Sequence, residues 1–171
     1  MNTKRIGFIS TGLIMAIFLF AYDTAFAEDL NVPTKTAIDK GIKRCFKMIK
    51  ETSDFLIKDH SHSTSDTWNT KNPNERLFNS VILQKFSDGA TITSLTGTPT
   101  KADTCDAVYT SVFYNQTSCT ATREDFKNLK YVGEKQGVIY LNNDTGLDVY
   151  LTQADSGCVV VKQEVLYGIK D

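Results

Sequence analysis

The chain has 171 residues, 41% of them apolar, 11% aromatic and 23% charged. That is ordinary globular composition and excludes collagen-like and wholly disordered chains. The 19 Lys+Arg nearly balance 20 Asp+Glu, a net charge of −1 at pH 7, so the basic footprint of a nucleic-acid binder is missing.

The first residues read as an export signal. Lys4 and Arg5 form a positive start, residues 7–22 carry no charge, and Ala25-Phe26-Ala27 ends the segment with small residues. Together these make a secretory signal peptide over 1–27, cut between Ala27 and Glu28. The uncharged core falls below the length of about 17–25 residues that a spanning helix uses, which argues against an uncleaved anchor. One exported domain, 28–171, remains. Cleavage takes Lys4, Arg5 and Asp23 and leaves 17 basic and 19 acidic residues, a net charge of −2.

Cys45, Cys105, Cys119 and Cys158 all follow the signal. An even number in an exported chain points to disulfides, because the compartment is oxidising. Four cysteines allow three connectivities, and the sequence alone does not choose among them. The expected pairing is Cys105–Cys119, which closes a short loop, and Cys45–Cys158, which would staple the N-terminal helix to the last strand. The spacings contain no CxxC and match no zinc pattern.

Val32-Pro33-Thr34 reads as a helix entrance, since Pro suits the first turn and Thr caps. Ile38, Ile42, Cys45, Phe46, Ile49 and Leu56 then recur at three- and four-residue steps. This spacing predicts one amphipathic helix over 34–59, with Lys40, Arg44 and Lys47 on its solvated face. Gly41 weakens it by about 1 kcal/mol relative to Ala. Residues 59–74 are rich in Ser, Thr, Asn and Asp and read as a long surface loop.

From residue 77 the apolar period changes to two. Strands are predicted over 81–86, 91–95, 108–114, 138–141, 147–152 and 158–166. Gly97-Thr98-Pro99 reads as a break. Thr122-Arg123-Glu124-Asp125 resembles a capping box and predicts a short helix over 122–129. Short connections imply antiparallel neighbours. The predicted fold class is therefore α+β, with one long N-terminal amphipathic helix packed on a five- or six-stranded antiparallel sheet. Leu147, Val149 and Leu151 alternate onto one face, expected to be shared with Val159, Val161, Ile38, Ile42 and Ile49. Cystatin-like and NTF2-like folds share that outline, in shape alone.

His60 and His62 are the only histidines, flanked by Asp59 and Asp66. With a carboxylate they could ligate zinc or copper. No third His or nearby Cys completes the set, so no metal and no cofactor is assigned. A Ser–His–Asp triad would have to draw its base from this loop, and no motif marks a nucleophile. Glu164, among strand residues, is expected to point to solvent. Trp68 stands in the polar loop, either as an interface hot spot or as an anchor folded onto the core. Tyr140 and Tyr150 read as a cross-strand pair or as part of an outward binding surface. Asn115-Gln116-Thr117 and Asn143-Asp144-Thr145 fit the glycosylation sequon, which matters only in a eukaryotic secretory pathway.

Gly7-Phe8 after Lys4-Arg5 resembles the processing site of type IV pilins, which join one long N-terminal helix to an antiparallel sheet. The resemblance implies a structural subunit of a surface assembly, with a helix over 8–59. The fifth residue after such a cut is Gly12, where that family carries Glu, and Ala25-Phe26-Ala27 has no place in it.

The expected function is that of an exported, periplasmic or secreted, non-catalytic module that binds another protein. Small disulfide-stapled exported domains often serve as inhibitors or immunity-type factors against a partner enzyme, such as one acting on the cell wall. Contact is expected from the loop through His60, His62, Asp66 and Trp68, and from the turn at Asn143 and Asp144. No nucleic acid and no stable membrane insertion after cleavage are expected. A pilin-like subunit, and a small hydrolase or metal-binding protein using His60 and His62, stand as alternatives.

Overall fold

In place of one long helix the chain forms two short ones, α1 (Val32–Asp39) and α2 (Phe46–Ile57). This is a computed structural model that describes residues 30–170; the expected signal peptide over 1–27 and its expected cleavage site lie outside the described residues. The break has a local cause. Gly41 adopts φ +67° and Cys45 φ +66°, both in the left-handed region where a helix ends. The residues between are held by Asn74, whose Oδ1 accepts from the Lys43 and Arg44 amides at 2.6 and 3.1 Å and whose Nδ2 donates to the Gly41 carbonyl. Asn31 caps α1 by accepting from the Thr34 amide at 3.0 Å and donates to Asp54 on α2 at 2.6 Å, so the two helices lock together. Ile38, expected in the core, is 52% exposed as a result.

Eight strands follow: β1 (His62–Trp68), β2 (Phe78–Lys85), β3 (Ala90–Pro99), β4 (Thr104–Asn115), β5 (Lys130–Lys135), β6 (Val138–Asn142), β7 (Leu147–Ala154) and β8 (Gly157–Lys170), with α3 (Cys119–Arg123) between β4 and β5. They form one antiparallel sheet in the order β1-β2-β3-β4-β8-β7-β6-β5. Strands β1 to β4 make one meander. The chain then passes through α3 to the far edge and meanders back, so that β8 pairs with β4 over their length. A bulge bends this central pair near Cys105, where Gly168 turns at φ +65° and its amide donates to Asp106 at 2.9 Å.

The expectation of a long helix on five or six strands is thus corrected to short helices on an eight-stranded sheet. Two strands escaped the sequence reading. The polar segment 59–74, expected as a loop, contains β1, which alternates half-buried and exposed residues along its length. Its inward positions are His62, Thr64, Asp66 and Trp68, so the period of two is hidden by polarity. The other strand is β5, an exposed edge whose Gly133 and paired charges give no apolar alternation. The supposed break at Gly97 lies inside β3. There the missing side chain admits Met48 of α2, whose Cε would sit 1.9 Å from an added Cβ.

All three helices lie on one face of the sheet and cover two cores. The first gathers Ala37, Ile42, Met48, Ile49, Phe78, Leu95, Ala107 and Tyr109 under α1 and α2. The second gathers Leu141, Val149, Leu151 and Val160 near α3. Val160 supplies this face, so Val159 and Val161, expected in the core, point to the other side. Each core holds one disulfide. Cys45 is joined to Cys105 and Cys119 to Cys158, which corrects the expected pairing. Each bond pins a helix start to a long central strand. The helices are too short to be stable alone, so their attachment decides whether the face is covered.

Peptide mapping of the unreduced protein is expected to yield Cys45–Cys105 and Cys119–Cys158. Replacing Cys119 and Cys158 with Ser should lower unfolding free energy by about 4 kcal/mol on the chain-entropy account of a loop of this length. Gly97→Ala should cost about 1–3 kcal/mol in urea unfolding, and less in a Met48→Ala background, where nothing occupies the cleared space.

Candidate functional site

Strand pairing places opposite residues on the same face, so the register alone defines the surface turned away from the helices. Across it runs an unbroken row: Leu83 of β2 faces Ile92 of β3, Ile92 faces Val112, Val112 faces Val161, Val161 faces Tyr150, and Tyr150 faces Tyr140. Among the described residues no helix packs on this side. Leu83, Ile92 and Val112 remain 46%, 52% and 37% exposed. Tyr140 and Tyr150 stack with ring centroids 5.1 Å apart, as the sequence anticipated for a cross-strand pair. Tyr140 donates to Asp148 at 2.7 Å, a bond that raises its pKa.

Two further rows flank this one. On one side lie Val81, Ser94, Thr110, Gln163, Asp148 and Asn142; on the other, Lys85, Ala90, Tyr114, Val159, Thr152, Val138 and Lys135. The bare face is therefore polar along one border, while the other carries Tyr114, Val159 and Val138 between a lysine at each end, Lys85 and Lys135. Around the β2–β3 turn lies a shallow depression of about 860 Å³, lined by Leu83, Lys85 and Ile92 of this face and by His62, Gln84 and Thr91 of the row that faces the helices.

The covered face has a polar seam between its two cores. Thr93 and Ser111 hydrogen-bond at 2.8 Å. The Tyr109 hydroxyl donates to Glu164, and Lys162 Nζ lies 6.0 Å from the ring centroids of both Tyr109 and Phe55. Glu164 is thus half-buried against a tyrosine, where the sequence placed it in solvent. Burial, then the Glu164 hydrogen bond and charge, raise the Tyr109 pKa above its ordinary value of 10.0.

The residues singled out from the sequence occupy the β1 edge and one turn. Trp68 is half-buried against the first core, with Lys40 Nζ 5.2 Å above its ring. Asp66 accepts from Thr36 of α1 at 2.6 Å; its other oxygen is buried without a partner, as is the hydroxyl of Ser80, its opposite number on β2. His62 Nδ1 lies 3.0 Å from the His60 carbonyl, which can only accept, so Nδ1 carries the proton and the buried Nε2 is left without a partner. The His60 ring meets Phe86 edge-on at 4.8 Å. Among the described residues no three His, Cys, Asp or Glu side chains are placed to hold a metal ion. Asn143 folds its own turn, accepting from the Thr145 and Leu147 amides at 3.0 and 2.9 Å, and Asp144 pairs with Lys130 at 2.9 Å on the surface. The structure brings His60, His62, Asp66 and Trp68 to one sheet edge and leaves Asn143 and Asp144 apart from them.

Leu83, Ile92, Val112 and Val161 were missed as surface residues. The signal for Leu83 and Val161 was present as consecutive apolar runs, Val81-Ile82-Leu83 and Val159-Val160-Val161. A strand apolar on both faces is ordinarily covered on both. No family model matches the chain, and no curated protein or solved structure is similar to it.

A raised tyrosine pKa means that the neutral phenol favours the fold. Its contribution is complete below pH 10 and falls away as pH rises further. Tyr109→Phe should therefore flatten the alkaline loss of stability, at a cost of about 1 kcal/mol at neutral pH for the lost hydrogen bond. Urea titrations of both proteins across that range check it.

Proposed function

We propose that this chain is an exported protein-binding module, without catalysis of its own, that acts in the periplasm or outside the cell as an inhibitor or immunity-type factor. The observation that carries the reading is the bare sheet face with its apolar row. Large apolar side chains exposed side by side on neighbouring strands mark an association surface more often than chance decoration. The two disulfides hold the scaffold in one shape, so little entropy is lost when a partner docks. They are compatible with an oxidising compartment, and among the described residues no helix is long and apolar enough to cross a membrane.

The mechanism is steric. A partner surface settles on the sheet, and the rim, with the β1 edge at Trp68 and the turn at Asn143 and Asp144, blocks what lies beside it. Hot-spot energy is expected from the large side chains at the centre of the patch rather than from the charged border.

A photoreactive residue placed at Ile92 or Val112 in the producing cells is expected to give a discrete protein adduct, and none at Lys43 on the helix side. Ile92→Asp should weaken capture at least tenfold and leave unfolding stability within about 0.5 kcal/mol, as befits a surface position. Adducts spread equally over all sites, or none at any, would overturn the reading.

A further inference from the structure

We infer that the bare face is occupied by a second copy of this chain, packed face to face about a twofold axis running along the strands between β4 and β8. This rests on the reading of that face as a binding surface and names its occupant.

The sheet has four strands on each side of the β4–β8 boundary. Rotation about that line lays β2 on the second copy's β6, β3 on its β7 and β4 on its β8. The central row then meets itself in complementary sizes. Val112 faces Val161 of the second copy, Ile92 faces Tyr150, and Leu83 faces Tyr140. The stacked tyrosine pair of one copy thus falls on Leu83 and Ile92 of the other, which line one side of the depression of about 860 Å³. The symmetry makes this contact twice.

The flanking rows agree. Thr110 meets Gln163, Ser94 meets Asp148, and Val81 meets Asn142, so the polar border satisfies itself. On the other side Tyr114 meets Val159, and Lys85, opposite Ala90, falls beside Val138 at the rim, the one charged side chain of this border inside the contact. No two like charges are opposed. The competing twofold axis, along the row, sets Lys130 against Lys135 and turns the polar border onto that of Tyr114 and Val159. Both lysines share the bare face, opposite Asn142 and Val138 respectively, so that arrangement is disfavoured by charge and by desolvation.

The area suffices. From β2 to β6 there are five strand spacings of about 4.8 Å, and the three rows add about 14 Å along the strands. With side-chain width the patch is roughly 30 by 20 Å, or about 1,200 Å² over both copies, within the range that stable interfaces bury. Face-to-face packing of two sheets is also the ordinary way to bury strands that are apolar on both sides. The β1 edge and the turn at Asn143 and Asp144 stay outside the contact.

The test is sedimentation equilibrium of the oxidised protein, expressed as the full chain, over a concentration series. The mass of two copies is expected, falling to one for Ile92→Asp combined with Val112→Asp, with circular dichroism unchanged. On the otherwise natural sequence, a photoreactive residue at Leu83 should label the peptide that contains Tyr140, which lies out of reach within one chain. A single-copy mass throughout, a pair that survives both substitutions, or a Leu83–Leu83 adduct would overturn the inference. A single-copy mass with an adduct to some other protein in cells overturns the second copy but leaves the binding face standing. With no adduct at all, both fall.

Discussion

The antiparallel pairing of β4 with β8 is the constraint on which the rest of the structure depends. These are the two longest strands, and they meet although the chain leaves one and returns to the other only after α3 and three further strands. Each half is a simple meander that local turns can form. Their union is a nonlocal event, and it turns two small sheets into one with a shared interior face. Both disulfides anchor on these strands, through Cys105 and Cys158, so the covalent staples reinforce the same seam from opposite ends. The polar line of Tyr109, Ser111, Lys162 and Glu164 runs along it on the helix side. A continuous apolar core would have no such register marker, whereas a hydrogen bond between Tyr109 and Glu164 exists in one alignment only.

A broad sheet needs cover, and this chain has little to give. The described helices are α1, α2 and the single turn and a half of α3, and all of them are spent on one face. The opposite face is left to water with Leu83, Ile92 and Val112 in it. A strand whose side chains are apolar in both directions costs solubility unless something covers the second direction. The conflict between the strands' composition and their exposure is the physical basis for treating the bare face as the working surface.

Much of this was legible in the sequence. The antiparallel strands from residue 78 onward other than β5, the shared face of Val149 and Leu151, and the Tyr140–Tyr150 pair follow from periodicity and short connections. The helix failed for a definite reason. An apolar residue at every third or fourth place continues through Gly41 and Cys45, but backbone conformation does not, and periodicity carries no information about φ. Strand β1 was hidden because its inward residues are polar and serve the helices, with Asp66 holding Thr36. The disulfide pairing failed because loop length was weighed without knowing which strands are central. The candidate site shifted from β1 to the sheet because a polar loop draws attention as a surface, while valines and isoleucines are assigned to a core by default.

The most direct measurement of the central claim, that the sheet is covered on one side only, is a set of methyl nuclear Overhauser contacts. Leu83, Ile92, Val112 and Val161 should show contacts to one another along the row, and none to Met48, Ile49 or Ile57 of α2. Contacts from those four methyl groups to the helix residues would place the helices on the wrong face and contradict the account.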